Sequence, residues 1–167
     1  MRLSESSRLD RALREYVAGG WPVLTPDGAA DAHGIAVVTG SVVDAWDVPT
    51  AIGAQGMRIL ERMRGPWPAV SHTGDGRWLF FTQPYTEPVP VIEAHGSRVR
   101  HVGAGQTALL PPSRRSTSRP DRWVWVPRFD RMPAAHQTLA ALVTAASRLH
   151  TWEVRDEPTT GGGPRRS

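Results

Sequence analysis

Thr73-Gly74-Asp75-Gly76-Arg77-Trp78-Leu79-Phe80-Phe81 and, further on, Val102-Gly103-Ala104-Gly105-Gln106-Thr107-Ala108-Leu109-Leu110-Pro111-Pro112-Ser113 decide how this chain folds. In each, a glycine-rich turn feeds an apolar run. The first has hairpin chemistry, because Trp67 to His72 and Arg77 to Thr82 are strand-like segments joined by Thr73-Gly74-Asp75-Gly76. In the second, Thr107 to Leu110 reads as a strand stopped by Pro-Pro-Ser.

Outward from this centre the pattern alternates between strands and a few helices. Ser4 to Ser7 offer N-caps to a helix with Leu9, Leu13, Tyr16 and Val17 on one face, and Gly19-Gly20 ends it. Trp21 to Leu24 is a short strand, Thr25-Pro26-Asp27-Gly28 a turn, and Gly34 to Gly40 a strand apolar on both faces. Ser41 to Asp47 is a further strand. Pro49 opens a helix to about Arg64, with Ile52, Met57, Leu60 and Met63 inward. Gln83 to Pro90 is a proline-rich crossing. Val91 to Glu93, Val99 to Val102 and Trp123 to Val126 complete the strands, with Trp123 and Trp125 expected on one face. Pro133 opens a last helix to about His150, with Leu139, Leu142, Val143 and Ala146 on one side. The predicted class is α+β, a mixed and largely antiparallel central sheet flanked by helices. One domain spans residues 1–150; the polar, glycine-rich residues 151–167 are expected to form a disordered tail.

The totals narrow the chemistry. The 167 residues contain no cysteine, which excludes disulfides and thiolate metal sites. No apolar run approaches the roughly 20 residues of a membrane helix, and the first residues lack a signal-peptide pattern, so a cytoplasmic location without membrane contact is expected. The net charge of +4 comes from 20 basic residues, all of them arginine, against 16 acidic ones. A GC-rich genome is the first explanation of that bias, with selection for the phosphate-gripping guanidinium fork as the alternative. Eight arginines lie from Arg98 to Arg131 against Asp121 and Asp130, an excess that could attract a polyanion. Arg114-Arg115-Ser116-Thr117-Ser118-Arg119 reads first as a solvated loop. The six histidines show no paired metal-ligand spacing, and neither a phosphate loop nor a Gly-x-Ser-x-Gly nucleophile is present.

Five landmarks, in order, resemble the N-terminal domain of bifunctional DNA primase/polymerases, a branch of the archaeo-eukaryotic primase superfamily. They are the first helix leading to Gly20-Trp21-Pro22-Val23, the apolar strand ending Val37-Val38-Thr39-Gly40, the strand through Asp44, the glycine turn into Arg77, and the second glycine turn before Pro111-Pro112-Ser113. The likeness covers roughly residues 8–147. It implies a primase-polymerase fold, DNA or nucleotide as partner, and magnesium or manganese if the chain is active.

The departures fall where such an enzyme does its chemistry. The resemblance implies two acidic residues separated by one position, which a strand places on one face to hold divalent cations. Here the segment is Asp44-Ala45-Trp46-Asp47, so the same-face neighbour of Asp44 is an indole, unless a bulge shifts the register. The histidine implied after Arg77 is Trp78, and the acidic residue implied before the second glycine turn falls at Arg100-His101. Asp44 and Asp47 are therefore candidate catalytic carboxylates of a vestigial site, with no metal expected; they could equally flank or cap the helix opened by Pro49. Arg77, Trp78, Arg100, Arg114, Arg115 and Arg119 are the candidate nucleic-acid contacts, although Trp78 is also suited to core packing. Three readings follow: a non-catalytic nucleic-acid or nucleotide-binding domain, an active primase/polymerase with a rearranged site that uses Asp44, Asp47 and Asp75, or a protein-interaction scaffold anchored on Trp123 and Trp125.

Overall fold

The first helix, α1 (Glu5–Ala18), ends because Gly20 takes a φ of 80° that a side chain would resist. Its last turn closes as a Schellman motif: the Gly20 N–H donates to the Val17 carbonyl at 3.0 Å and the Trp21 N–H to the Tyr16 carbonyl at 3.1 Å. The Trp21 ring stacks on Tyr16 with centroids 6.0 Å apart, which fixes where the chain leaves the helix. Tyr16 points inward with Leu9 and Leu13, but Val17 is 60% exposed, so the inward face is narrower than its spacing suggests. The structure, a computed structural model, describes residues 5–25, 32–115 and 119–155.

The remaining elements are β1 (Val23–Leu24), β2 (Ala32–Val38), β3 (Asp44–Val48), α2 (Thr50–Arg62), β4 (Ala69–His72), β5 (Trp78–Thr82), β6 (Glu93–Ala94), β7 (Ser97–Arg98), β8 (Arg100–Val102), β9 (Thr107–Arg115), β10 (Arg122–Trp125) and α3 (Ala135–Arg155). They make an α+β fold in which every described strand pair is antiparallel. The central sheet has the order β10-β4-β5-β3-β8, β1-β2-β9 forms a second sheet, and β6-β7 is a small hairpin. The turn at Thr73–Gly76 joins β4 to β5 as a hairpin, as its glycines predict. α3 runs five residues past His150, and residues 156–167 lie outside the described residues. No helix among the described residues is long and apolar enough to cross a membrane.

Two apolar clusters sandwich the central sheet. On one face Trp46, Val48, Val70 and Phe80 meet Ile52, Met57 and Leu60 of α2 and Leu139 and Leu142 of α3. Val143, expected inward, is 40% exposed; Ala141 and Ala145 fill the contact instead. On the other face Val43, Ala45, Leu79 and Phe81 meet α1 and the second sheet through Tyr16, Trp21, Ile35, Val37 and Leu110. Each fully buried Val, Leu, Ile or Phe among them contributes about 1.5–3 kcal/mol of transfer free energy.

Strand β9 does not stop at Leu110. It continues through Pro111-Pro112, because the ladder with β2 slips there: Ile35 pairs with Leu110, whereas His33 pairs with Arg114. Proline has no N–H to give, and the Ser113 hydroxyl takes over. It accepts from the Ile35 N–H at 2.7 Å and donates to the Ile35 carbonyl at 3.0 Å. Gly34 makes room for this, since a Cβ there would lie 2.1 Å from Ser113 Oγ.

The Tyr16 hydroxyl ties three elements together. It donates to the Pro111 carbonyl at 2.5 Å and accepts from the Trp123 indole at 2.9 Å. Burial pushes its pKa far above the ordinary tyrosine range, partly offset by the Trp123 bond, with a further rise from the Glu15 charge. Two outcomes are expected. Tyr16→Phe leaves the indole and the carbonyl unpaired and lowers the unfolding free energy by about 1–3 kcal/mol in denaturant titration. In the wild type, the unfolded chain ionises this phenol near pH 10 while the folded chain keeps its proton. Stability is therefore complete below about pH 10 and falls as pH rises beyond it, by up to about 1.4 kcal/mol per unit; Tyr16→Phe removes that slope. Gly34→Ala is expected to destabilise by about 1–3 kcal/mol through overpacking against Ser113, read as a lower melting temperature.

Candidate functional site

Strand β3 carries both candidate aspartates, and its ladders leave no freedom in where they point. It is paired without interruption to β5, from Asp44 opposite Thr82 to Val48 opposite Trp78, and to β8, with Asp47 opposite Arg100 and Trp46 opposite His101. With no bulge in either ladder, strict alternation puts Asp44 and Trp46 on the helix-covered face and Asp47 on the other. The two carboxylates do not share a site.

Asp44 is 1% exposed. Its Oδ2 accepts from the Tyr85 backbone N–H at 2.9 Å and lies within hydrogen-bond distance of His101 Nε2, at 2.7 Å. Trp46 supports this imidazole from below, stacked at 4.4 Å and 21°, while its own indole N–H donates to Thr82 Oγ1 at 3.0 Å. The Tyr85 ring closes over Trp46 edge-on at 5.5 Å. Asp44 Oδ1 is buried without a hydrogen-bond partner.

Asp47 is held differently. Arg77 Nε donates to Oδ1 and an Arg100 guanidinium nitrogen to Oδ2, so each carboxylate oxygen has its own arginine. Arg77 also reaches the Asp47 carbonyl at 3.3 Å and the Arg98 carbonyl at 3.4 Å. Its position follows from the hairpin turn, where the Thr73 hydroxyl accepts from the Arg77 N–H at 2.9 Å and donates to Asp75 Oδ1. Asp47 is nearly covered at 9% side-chain exposure, while Arg100 is 65% exposed. Two cations against one anion leave a positive excess at the β8 edge, where Arg98 is also exposed although paired to Glu93 at 3.2 Å.

The other predicted contacts lie elsewhere. Trp78 belongs to the opposite face from Arg77 and packs against α2, its ring edge-on to His72 at 5.5 Å. Arg114, half-buried, reaches Glu5 of α1 at 3.4 Å. Arg115 ends β9, and Arg119 is exposed in the segment before β10. The arginine excess from Arg98 to Arg131 thus forms no single patch, because β8 and β10 are opposite edges of the central sheet. Trp123 and Trp125 are also separated. A bulge sets Trp123 opposite Ser71 and Trp125 opposite Val70. Trp123 turns to the Tyr16 cluster, and Trp125 stacks on Trp67 at 5.1 Å on the other side.

His101 and Tyr85 are the members of this site that sequence reasoning did not single out for Asp44. The signal for His101 was present: one step along β8 from Arg100, it must face the way Arg100 does not. Among the described residues, no group of three or more His, Cys, Asp or Glu side chains is placed to hold a metal ion.

The family model for the bifunctional DNA primase/polymerase, N-terminal, matches residues 11–135. No curated protein and no solved structure matches the chain. The matched span begins within α1, includes the whole central sheet with both aspartates, and ends where α3 starts. The chain therefore belongs to the bifunctional DNA primase/polymerase N-terminal family.

Proposed function

We propose that this domain binds nucleic acid or nucleotide phosphate at the β8 edge without catalysing phosphoryl transfer. The observation that carries this reading is Asp47, whose two oxygens are each taken by a guanidinium. A two-cation mechanism needs carboxylates with free lone pairs converging on metals about 3.5–4 Å apart. Magnesium adds the demand of near-octahedral oxygen coordination. Asp44 and Asp47 lie on opposite faces of a sheet, and the positions beside Asp44 on its own face are held by Trp46 of β3 and His101 of β8. These donors do not fit magnesium or manganese.

The β8 edge has a different capacity. Arg77 and Arg100 neutralise Asp47 internally, and the exposed part of Arg100 faces solvent next to Arg98. Guanidinium groups at an exposed strand edge suit phosphate oxygens, which accept two parallel hydrogen bonds from one fork. Such contacts release counterions, so affinity falls steeply with salt.

Fluorescence anisotropy with labelled single-stranded and primed DNA at low and moderate salt tests the binding. Measurable affinity at low salt is expected, with Arg98→Ala and Arg100→Ala each reducing the log–log salt slope by about 1. Absence of binding at low salt would remove the proposal. In parallel, template-dependent nucleotide incorporation should stay at background with magnesium and with manganese. Incorporation that disappears in Asp44→Ala would instead establish an active enzyme with a rearranged site.

A further inference from the structure

A groove of about 390 Å³ opens between α1 and the β9–β10 side of the molecule, away from the β8 edge. Its floor is Ala12, Tyr16, Pro111, Pro112 and Trp123. The polar side-chain atoms of that floor are already engaged, since the indole donates to the Tyr16 hydroxyl and the hydroxyl to the Pro111 carbonyl. Proline contributes no N–H. The floor is therefore apolar in effect, although it contains a phenol and an indole.

The rim is charged and unbalanced. Arg8 and Arg11 line it from α1 and Arg122 from β10. Arg11 is bonded to Glu15 at 3.0 Å, and Asp121 is buried with its Oδ1 accepting the Gly74 N–H at 2.8 Å. Arg8 and Arg122 are exposed, and neither has an acidic partner among the described residues. Two unpaired guanidiniums thus flank an apolar floor from two different elements.

We propose that this groove docks an acidic peptide segment of a partner protein, one apolar side chain on the Pro111–Trp123 floor and carboxylates on Arg8 and Arg122. Charge complementarity selects the sign of the partner, and carboxylate matches the planar fork of arginine. A nucleobase finds no platform here. The Trp123 ring is hemmed in edge-on by Phe81 at 5.5 Å, Tyr16 at 6.3 Å and Trp21 at 6.5 Å, all members of its own core. The chain's own last residues, Pro164-Arg165-Arg166-Ser167, carry the wrong charge to serve as the occupant.

The test is anisotropy of a fluorescein-labelled peptide with a Leu-Phe pair flanked by aspartates and glutamates, titrated with the full chain. The same peptide with every acid replaced by its amide, and a single-stranded oligonucleotide, are run beside it. Saturable binding of the acidic peptide is expected, about ten-fold weaker or more in the Arg8→Glu, Arg122→Glu double variant, with oligonucleotide affinity unchanged. Ala12→Trp, which fills the groove without altering charge, should weaken the peptide as well. In the wild type, the Trp123 indole N–H resonance should shift as the peptide is added, a readout independent of any variant. No binding, equal binding of the amide peptide, or a double variant that loses oligonucleotide but keeps peptide would each overturn the proposal.

Discussion

A buried β-strand paired on both sides has only one setting for its side chains, and β3 is such a strand. Its ladders to β5 and β8 run without a bulge, so successive residues must alternate between the two apolar clusters. Val48 and Trp46 belong to the cluster under α2 and α3, Ala45 to the cluster under α1. A slip of one residue would exchange those sets and drive Asp47 into the helix-covered core. The separation of the aspartates is therefore a consequence of core formation, and no rotation of side chains could undo it.

That constraint explains how two buried acids persist in an apolar environment. Burying a carboxylate is costly unless hydrogen bonds and opposite charge surround it. β8 supplies adjacent partners, Arg100 for Asp47 on one face and His101 for Asp44 on the other. Arg77 completes the first arrangement and the Tyr85 backbone the second. The positive charge that balances Asp47 is built into the chain.

Much of the fold was legible in the sequence because its signals are local. The hairpin at Thr73–Gly76, the cap at Gly20 and the helix opening after Pro49 each follow from residues within one turn of where they act. The opposite facing of Asp44 and Asp47 followed from strand periodicity alone. What could not be read was set at a distance. The bulge that parts Trp123 from Trp125 depends on register against β4, and the passage of β9 through Pro111-Pro112 depends on Gly34 and Ser113 meeting across two strands. The arginine-rich stretch is dispersed for the same reason. Closeness along the chain does not survive when neighbouring strands are assigned to opposite edges.

The Tyr16 hydroxyl bridges residues 95 and 107 positions away in the chain. During synthesis α1 therefore appears well before β9 and β10, the strands that hold its hydroxyl. Until β9 and β10 have been made, the helix lacks both partners of that hydroxyl. Closure of the second apolar cluster therefore waits for those strands, and Tyr16 and Trp21 stay incompletely covered in the nascent chain until they arrive.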